Sequence, residues 1–173
     1  MIVKVKKLNP NAHIPTQAHD KDFCYDVYAT SCEEIEPRIW KYGLGLAFEI
    51  KRDFELLGKT CLYNSKAPIP HQDVLMKLNL DNSPVKLSLD FRPRSSIYKT
   101  GLILSNCEGT IDELYRGEVS AYFYEVVPNK PKYNIGDRIG QIKLGFTLPI
   151  SFEEGDIDEN TERGSNCFGA TGK

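Results

Sequence analysis

The feature that most constrains this chain is a two-residue alternation of apolar and polar side chains, repeated in short runs and broken by Gly, Pro, Asn and Asp. In an extended strand successive side chains leave opposite faces, so this period buries one face and wets the other. Such runs lie at 2–8, 25–30, 42–50, 59–63, 74–78, 85–91, 101–105, 119–127 and 138–146. They are rich in β-branched and aromatic residues, and turn clusters separate them at short intervals. No stretch carries the 3.6-residue period of a long helix with a capping box and a glycine stop. The expectation is an all-β fold, whether sandwich, jelly roll or barrel.

Bulk properties narrow the function classes. The 173 residues suit one domain, and a net charge of −2 offers no general basic field for nucleic acid. An anionic ligand would need a local cluster of Arg or Lys. No apolar run approaches the length of a membrane span, and Met1-Ile2-Val3-Lys4-Val5-Lys6-Lys7 reads as a first strand rather than a secretory signal. Cys24, Cys32, Cys61, Cys107 and Cys167 are odd in number, scattered, and not at ligand spacing from His13, His19 or His71. Reduced thiols in a cytoplasmic protein fit that pattern better than a structural zinc site does.

The expected organisation is a single β domain over 1–150 followed by an arm over 151–173. The segment 51–82 is mixed in character and includes a loop-like stretch, Lys66 to His71. The arm begins acidic and ends Arg163-Gly164-Ser165-Asn166-Cys167-Phe168-Gly169-Ala170-Thr171-Gly172-Lys173. A glycine-rich ending of this kind is poor at holding itself in a fold and is expected to be flexible, ordering only against something else.

Three segments carry side chains suited to chemistry. In Asn106 to Gly117 two glycines bracket Thr110-Ile111-Asp112, with Tyr115 just beyond, which suggests a hairpin gathering backbone groups, a carboxylate and a ring. A solvated β-turn has the same composition. Arg92-Pro93-Arg94-Ser95-Ser96 puts two guanidiniums and two hydroxyls in a rigid turn able to chelate phosphate oxygens, although Arg-Ser runs are also ordinary surface loops. The tail offers an Arg, backbone N–H groups and one Phe that could close over a ligand. It is not a P-loop, since Cys167 stands where the first glycine belongs.

The order of these segments is more specific than any one of them. Cys24-Tyr25-Asp26-Val27-Tyr28-Ala29, Pro93-Arg94-Ser95-Ser96, Gly109-Thr110-Ile111-Asp112 with Tyr115-Arg116-Gly117, Gly136-Asp137-Arg138-Ile139-Gly140-Gln141, and the ending from Arg163 follow one another. In that order the chain resembles the trimeric dUTPase family. The resemblance implies a jelly-roll-like, β-clip barrel and hydrolysis of dUTP to dUMP and pyrophosphate. That reaction limits uracil in DNA and supplies dUMP for thymidylate synthesis.

The resemblance also implies roles. Asp112 would be the catalytic base activating a water against the α-phosphorus. Asn106, Gly109 and Ile111 belong to the segment that would read uracil, with Tyr115 packed on the deoxyribose to exclude a 2′-hydroxyl. Arg94, Ser95, Ser96 and Gln141 would contact phosphates, with Asp26 and Arg94 an organising pair behind the site. Arg163 would meet the γ-phosphate, and Phe168, with Gly169 and Thr171, would close over the base. Mg2+ would be held through phosphates and waters rather than directly by protein ligands. The implied assembly is a homotrimer with shared sites, and no nucleic acid or membrane partner is expected.

Some residues depart from the family pattern: Cys24 for a small residue, Ser96 for Gly, Gly140 for Ala, and Ala170 for a hydroxyl residue. The segment 51–82 looks like an insertion of at least one hairpin. A dCTP deaminase shares the Gly-x-Ile-Asp signature, but Glu113 follows Asp112 where Pro is usual, and Tyr122 stands where its catalytic Glu belongs. A catalytically silent dUTP-binding sensor on the same fold is the remaining alternative.

Overall fold

Among the described residues the chain forms twelve β-strands and one short 3-10 helix at Ser95–Lys99. The structure, a computed structural model, describes residues 2–60, 72–79, 84–106, 108–158 and 160–161, the side chains of 53–60 and 72–79 excepted. In chain order the strands are β1 (Val3–Lys7), β2 (Tyr25–Tyr28), β3 (Ser31–Glu36), β4 (Ile39–Gly43), β5 (Leu46–Ile50) and β6 (Asp53–Thr60). There follow β7 (Gln72–Asn79), β8 (Lys86–Pro93), β9 (Leu102–Leu104), β10 (Gly109–Asp112), β11 (Ser120–Glu125) and β12 (Arg138–Thr147).

Among the described residues these strands pair antiparallel. Two four-stranded sheets, ordered β10-β8-β12-β2 and β3-β4-β11-β9, form the body, and β1-β5 and β6-β7 are two-stranded pairs. Every other residue of β8, namely Leu87, Leu89 and Phe91, is buried, and these join Val27, Ile139 and Ile142 from the same sheet. Tyr42, Leu102, Ala121 and Phe123 from the second sheet complete the core with Leu46 and Phe48 of β5. Phe123 sits at its centre, edge-on to Tyr42 at 5.6 Å and to Phe91 at 6.4 Å between ring centroids. This two-layer, antiparallel architecture is all-β and jelly-roll-like. Among the described residues no helix is long and apolar enough to cross a membrane.

The run at 42–50 does not make one strand. It breaks at Gly45, whose φ of +64° is open to glycine and strained for other residues. A Cβ there would also meet Asn9 at 2.7 Å and Thr30 Oγ1 at 2.8 Å. The break sends β4 to one four-stranded sheet and β5 to β1. Strand β3, Ser-Cys-Glu-Glu-Ile-Glu, is a strand the alternation did not reveal. It lies at a sheet edge and is almost wholly exposed, so no apolar face was needed.

Within 51–82, β6 and β7 pair over eight residues each and with no other described strand. The loop-like Lys66–His71 and most of the run at 59–63 lie outside the described residues. From Leu148 to Asp158 the chain is exposed and without regular structure.

Candidate functional site

Two carboxylates in very different settings organise the candidate site. Asp26 lies on β2 with its side chain directed away from the core neighbour Val27, yet it is only 5% exposed. Arg138 Nη1 donates to its Oδ2 at 3.0 Å and Gln141 Nε2 to its Oδ1 at 3.1 Å. Arg94 Nε stands 3.4 Å from Oδ1. The register explains the meeting: Asp26 sits opposite Gln141 on β12, which sits opposite Arg92 on β8, and Arg94 follows β8 directly. A buried carboxylate is costly unless paired, and here cations on two sides and an amide satisfy it. Those cations are themselves partly exposed, so they also present positive charge outward. Ser95 and Ser96 open the 3-10 helix immediately beyond Arg94.

Close packing accounts for one departure from the family pattern. A Cβ on Gly140 would run into the Phe91 ring and approach Arg92 O at 2.7 Å, so Phe91 leaves no room for alanine in this backbone.

The second carboxylate, Asp112, ends β10 opposite Ser88 and is exposed. Among the described residues its carboxylate has no hydrogen-bond or ion-pair partner. The chain then turns tightly, with Tyr115 N–H donating to Asp112 O at 3.0 Å. Tyr115 Oη donates to Glu118 O at 3.0 Å, and the ring lies against Gly117, where a Cβ would come within 2.5 Å of Oη. Half exposed at 48%, the ring forms part of a pocket of about 390 Å3 lined by Thr110, Ile111, Asp112 and Tyr115 with residues of β4 and β11. Asn106 Nδ2 lies 3.2 Å from where a Cβ on the buried Gly109 would stand. The segment is not a paired hairpin: β9 bonds to β11 and β10 to β8, so it crosses from one sheet to the other.

The two clusters do not meet in one chain. Four residues along β8 at about 3.3 Å each, and three strand spacings at about 4.8 Å, separate Asp26 from Asp112 by roughly 20 Å. Arg163, Phe168, Gly169 and Thr171, and Ala170 with them, lie outside the described residues. The structure also brings in residues that the sequence reading did not assign to the site. Arg138 bonds Asp26, and Lys41, Glu118, Ser120 and Tyr122 line the Asp112 pocket.

An apolar groove of about 350 Å3 lies elsewhere, between Val3, Val5, Phe48, Leu89 and Ile142. Its one titratable nitrogen, Lys143 Nζ, is bound to Asp90 Oδ2 at 2.5 Å, so the groove has little means for phosphate chemistry.

A family model described as dUTPase matches residues 61–172. A deoxyuridine 5'-triphosphate nucleotidohydrolase of Clostridium novyi is 30% identical over 173 residues, covering 99% of each chain. Among solved structures, a mutant dUTPase of Staphylococcus bacteriophage 80alpha with dUpNHpp superposes with a TM-score of 0.69 at 18% identity, over 99% of each chain. A mutant dUTPase of the S. aureus phage phi11, described for its coordination of a structural Mg(II) ion, superposes at 0.54 and 17% identity, over 94% of this chain and 99% of that one.

Proposed function

The chain belongs to the dUTPase family, and from that premise we propose that it hydrolyses dUTP to dUMP and pyrophosphate, with Asp112 as general base. The observation that carries the proposal is the exposed Asp112 carboxylate, unpartnered among the described residues, on the wall of a pocket of about 390 Å3 beside Tyr115. Such a carboxylate is free to take the proton of a water as that water attacks the α-phosphorus. The bond to the β-phosphate oxygen breaks, and pyrophosphate leaves with the electron pair. Removing dUTP keeps uracil out of DNA, and the product supplies thymidylate synthesis.

The remaining roles follow from spare donors. One N–H of Gln141 Nε2 serves Asp26, and its second hydrogen is available to the α-phosphate. Arg94 turns Nε toward Asp26, which leaves its Nη fork for phosphate oxygens, with Ser95 and Ser96 beside it. Asn106, Gly109 and Ile111 would read the uracil edge, and Tyr115 would pack on the deoxyribose. Arg163 would bind the γ-phosphate, and Phe168, Gly169 and Thr171 would close over the base.

A base and the phosphate donors must both reach one phosphorus, and roughly 20 Å between them within a chain argues that different copies contribute them. A homotrimer with shared sites supplies this. The exposed apolar residues Phe146, Leu148, Ile150 and Phe152, two positions apart in the chain, favour assembly. Magnesium would be bound with the triphosphate, through phosphate oxygens and waters. When bound it neutralises phosphate charge. Cytoplasmic action belongs to the same proposal, supported by the free thiols Cys24 and Cys32.

The test is pyrophosphate release from dUTP, dCTP, dTTP and UTP, each with and without magnesium. Release from dUTP alone is expected. Equal release from UTP would remove the role given to Tyr115, and no release from dUTP would end the proposal.

A further inference from the structure

We propose that Arg52 is a positioning residue for Asp112, acting through the carboxylate of Glu113. The proposal rests on the reading of Asp112 as the base. A base must aim its oxygen at a water within a few tenths of an ångström, and the Asp112 carboxylate has no partner of its own among the described residues. Its direction is therefore set by the backbone on either side. Upstream, the β10–β8 ladder holds the chain as far as the pair Asp112–Ser88 and ends there. Downstream, Leu114 is 83% exposed and contributes no packing. Past the ladder's end the backbone is held by the Tyr115 N–H bond to Asp112 O and by Arg116 Nη1 donating to Glu113 O at 2.6 Å, and the Glu113 side chain adds an anchor of its own.

That anchor is strong in form. Arg52 Nε and Nη2 each lie 2.6 Å from a different oxygen of Glu113, a two-pronged pairing that fixes orientation as well as distance. The side chains are only 20% and 16% exposed, which protects the pair from the competition with water that weakens surface pairs. Leu87 N–H adds a bond to the same carboxylate, so Glu113 is tied to the start of β8, one residue before the partner of Asp112. Arg52 Nη2 also donates to Val85 O at 3.1 Å. The guanidinium thus joins the chain before β6, the chain before β8 and the residue after Asp112. Glu113 does not serve as an alternative base, because a carboxylate bound on both oxygens by a guanidinium resists taking a proton.

The test compares the intact protein with Arg52→Lys, Glu113→Gln, the double variant, and Asp112→Asn. Steady-state pyrophosphate release from dUTP gives kcat and KM, and a thermal melt reports folding. Lysine keeps the charge of Arg52 but lacks the fork, and glutamine keeps the shape of Glu113 but not its charge, so each variant loosens the two-pronged pairing, and the melt separates lost orientation from lost folding. We expect each single variant to lower kcat by roughly ten- to a hundredfold, the range for a base displaced by about 1 Å. KM should stay within about twofold, since the binding groups are untouched. The double variant should lose no more than the worse single, because both break one device. Wild-type kcat in both singles, losses that multiply in the double, or losses matched by a collapse of the melting midpoint would each overturn the positioning role. Asp112→Asn with intact turnover would instead overturn the reading beneath it.

Discussion

Asp26 and Asp112 belong to the same sheet and differ in almost everything that governs a carboxylate. Asp26 is buried, bonded by Arg138 and Gln141, and faced by Arg94, so its place is over-determined. Asp112 sits at a strand end, exposed, with its carboxylate unpartnered among the described residues and its carbonyl accepting from Tyr115 N–H. The first arrangement spends a charge on holding cations still. The second leaves a charge available. The contrast teaches that in this chain a carboxylate committed to holding cations and one left unpartnered among the described residues are separated by burial, not by residue type.

The comparison predicts opposite signatures for the two residues. The largest effect belongs to Asp112→Asn, which should cut turnover by about two to four orders of magnitude, the usual worth of a positioned base, and leave the melting midpoint in place. A large fall in the midpoint would mean that Asp112 is structural after all. Asp26→Ala should reverse the pattern. Two guanidiniums and an amide lose their acceptor, and a stability loss of about 2–3 kcal/mol is expected in denaturant unfolding, tempered by the partial exposure of both arginines. An Asp26→Ala protein as stable as the parent would show that those cations find water at no cost.

A smaller effect tests the packing behind Asp26. Gly140→Ala forces the Phe91 ring to shift and should cost about 1–2 kcal/mol, largely relieved in a Gly140→Ala/Phe91→Val double variant. Failure of the smaller residue to relieve it would locate the strain in the Arg92 backbone instead.

The smallest effect is on pH. The Arg52 bond holds Glu113 below its ordinary 4.5 against an opposing push from burial. At Asp90 burial pushes upward, but the bonds from Lys143 and Ser88 outweigh it and leave the carboxyl below its ordinary 3.8. Both folded values are depressed, so the stability they contribute is present above the unfolded values and is lost as pH falls through the folded ones. The unfolding midpoint should hold down to about pH 4.5 and then decline, and Glu113→Gln should make the decline shallower. A midpoint that rises with acid would contradict both pairings.

Much of the molecule was legible in advance because strand formation follows from local alternation. β2, β8, β11 and β12 each lie within or close to an expected run, since their buried residues recur every second position. β3 was hidden because an edge strand exposed on both faces carries no such signal. The split at Gly45 falls inside a run whose alternation reads as one strand, because one glycine in an apolar run does not by itself interrupt that pattern. In the site, Asp26, Arg94 and Gln141 were named beforehand, and Arg138 was not given a role. Its contact with Asp26 depends on a register shift between Arg138 and Gly140 that no spacing rule anticipates.

By itself the sequence determined the fold class and the order of the five segments, because alternation and turn chemistry act between residues near in the chain. It also carried the inventory of groups able to bind phosphate and to accept a proton. Only the tertiary structure decided which of those groups are spent on each other and which stay free. Asp26 and Gln141 are 115 positions apart, and Arg52 and Glu113 are 61. Pairings at such separations are set by strand order and register, which depend on how whole sheets bury their apolar faces together.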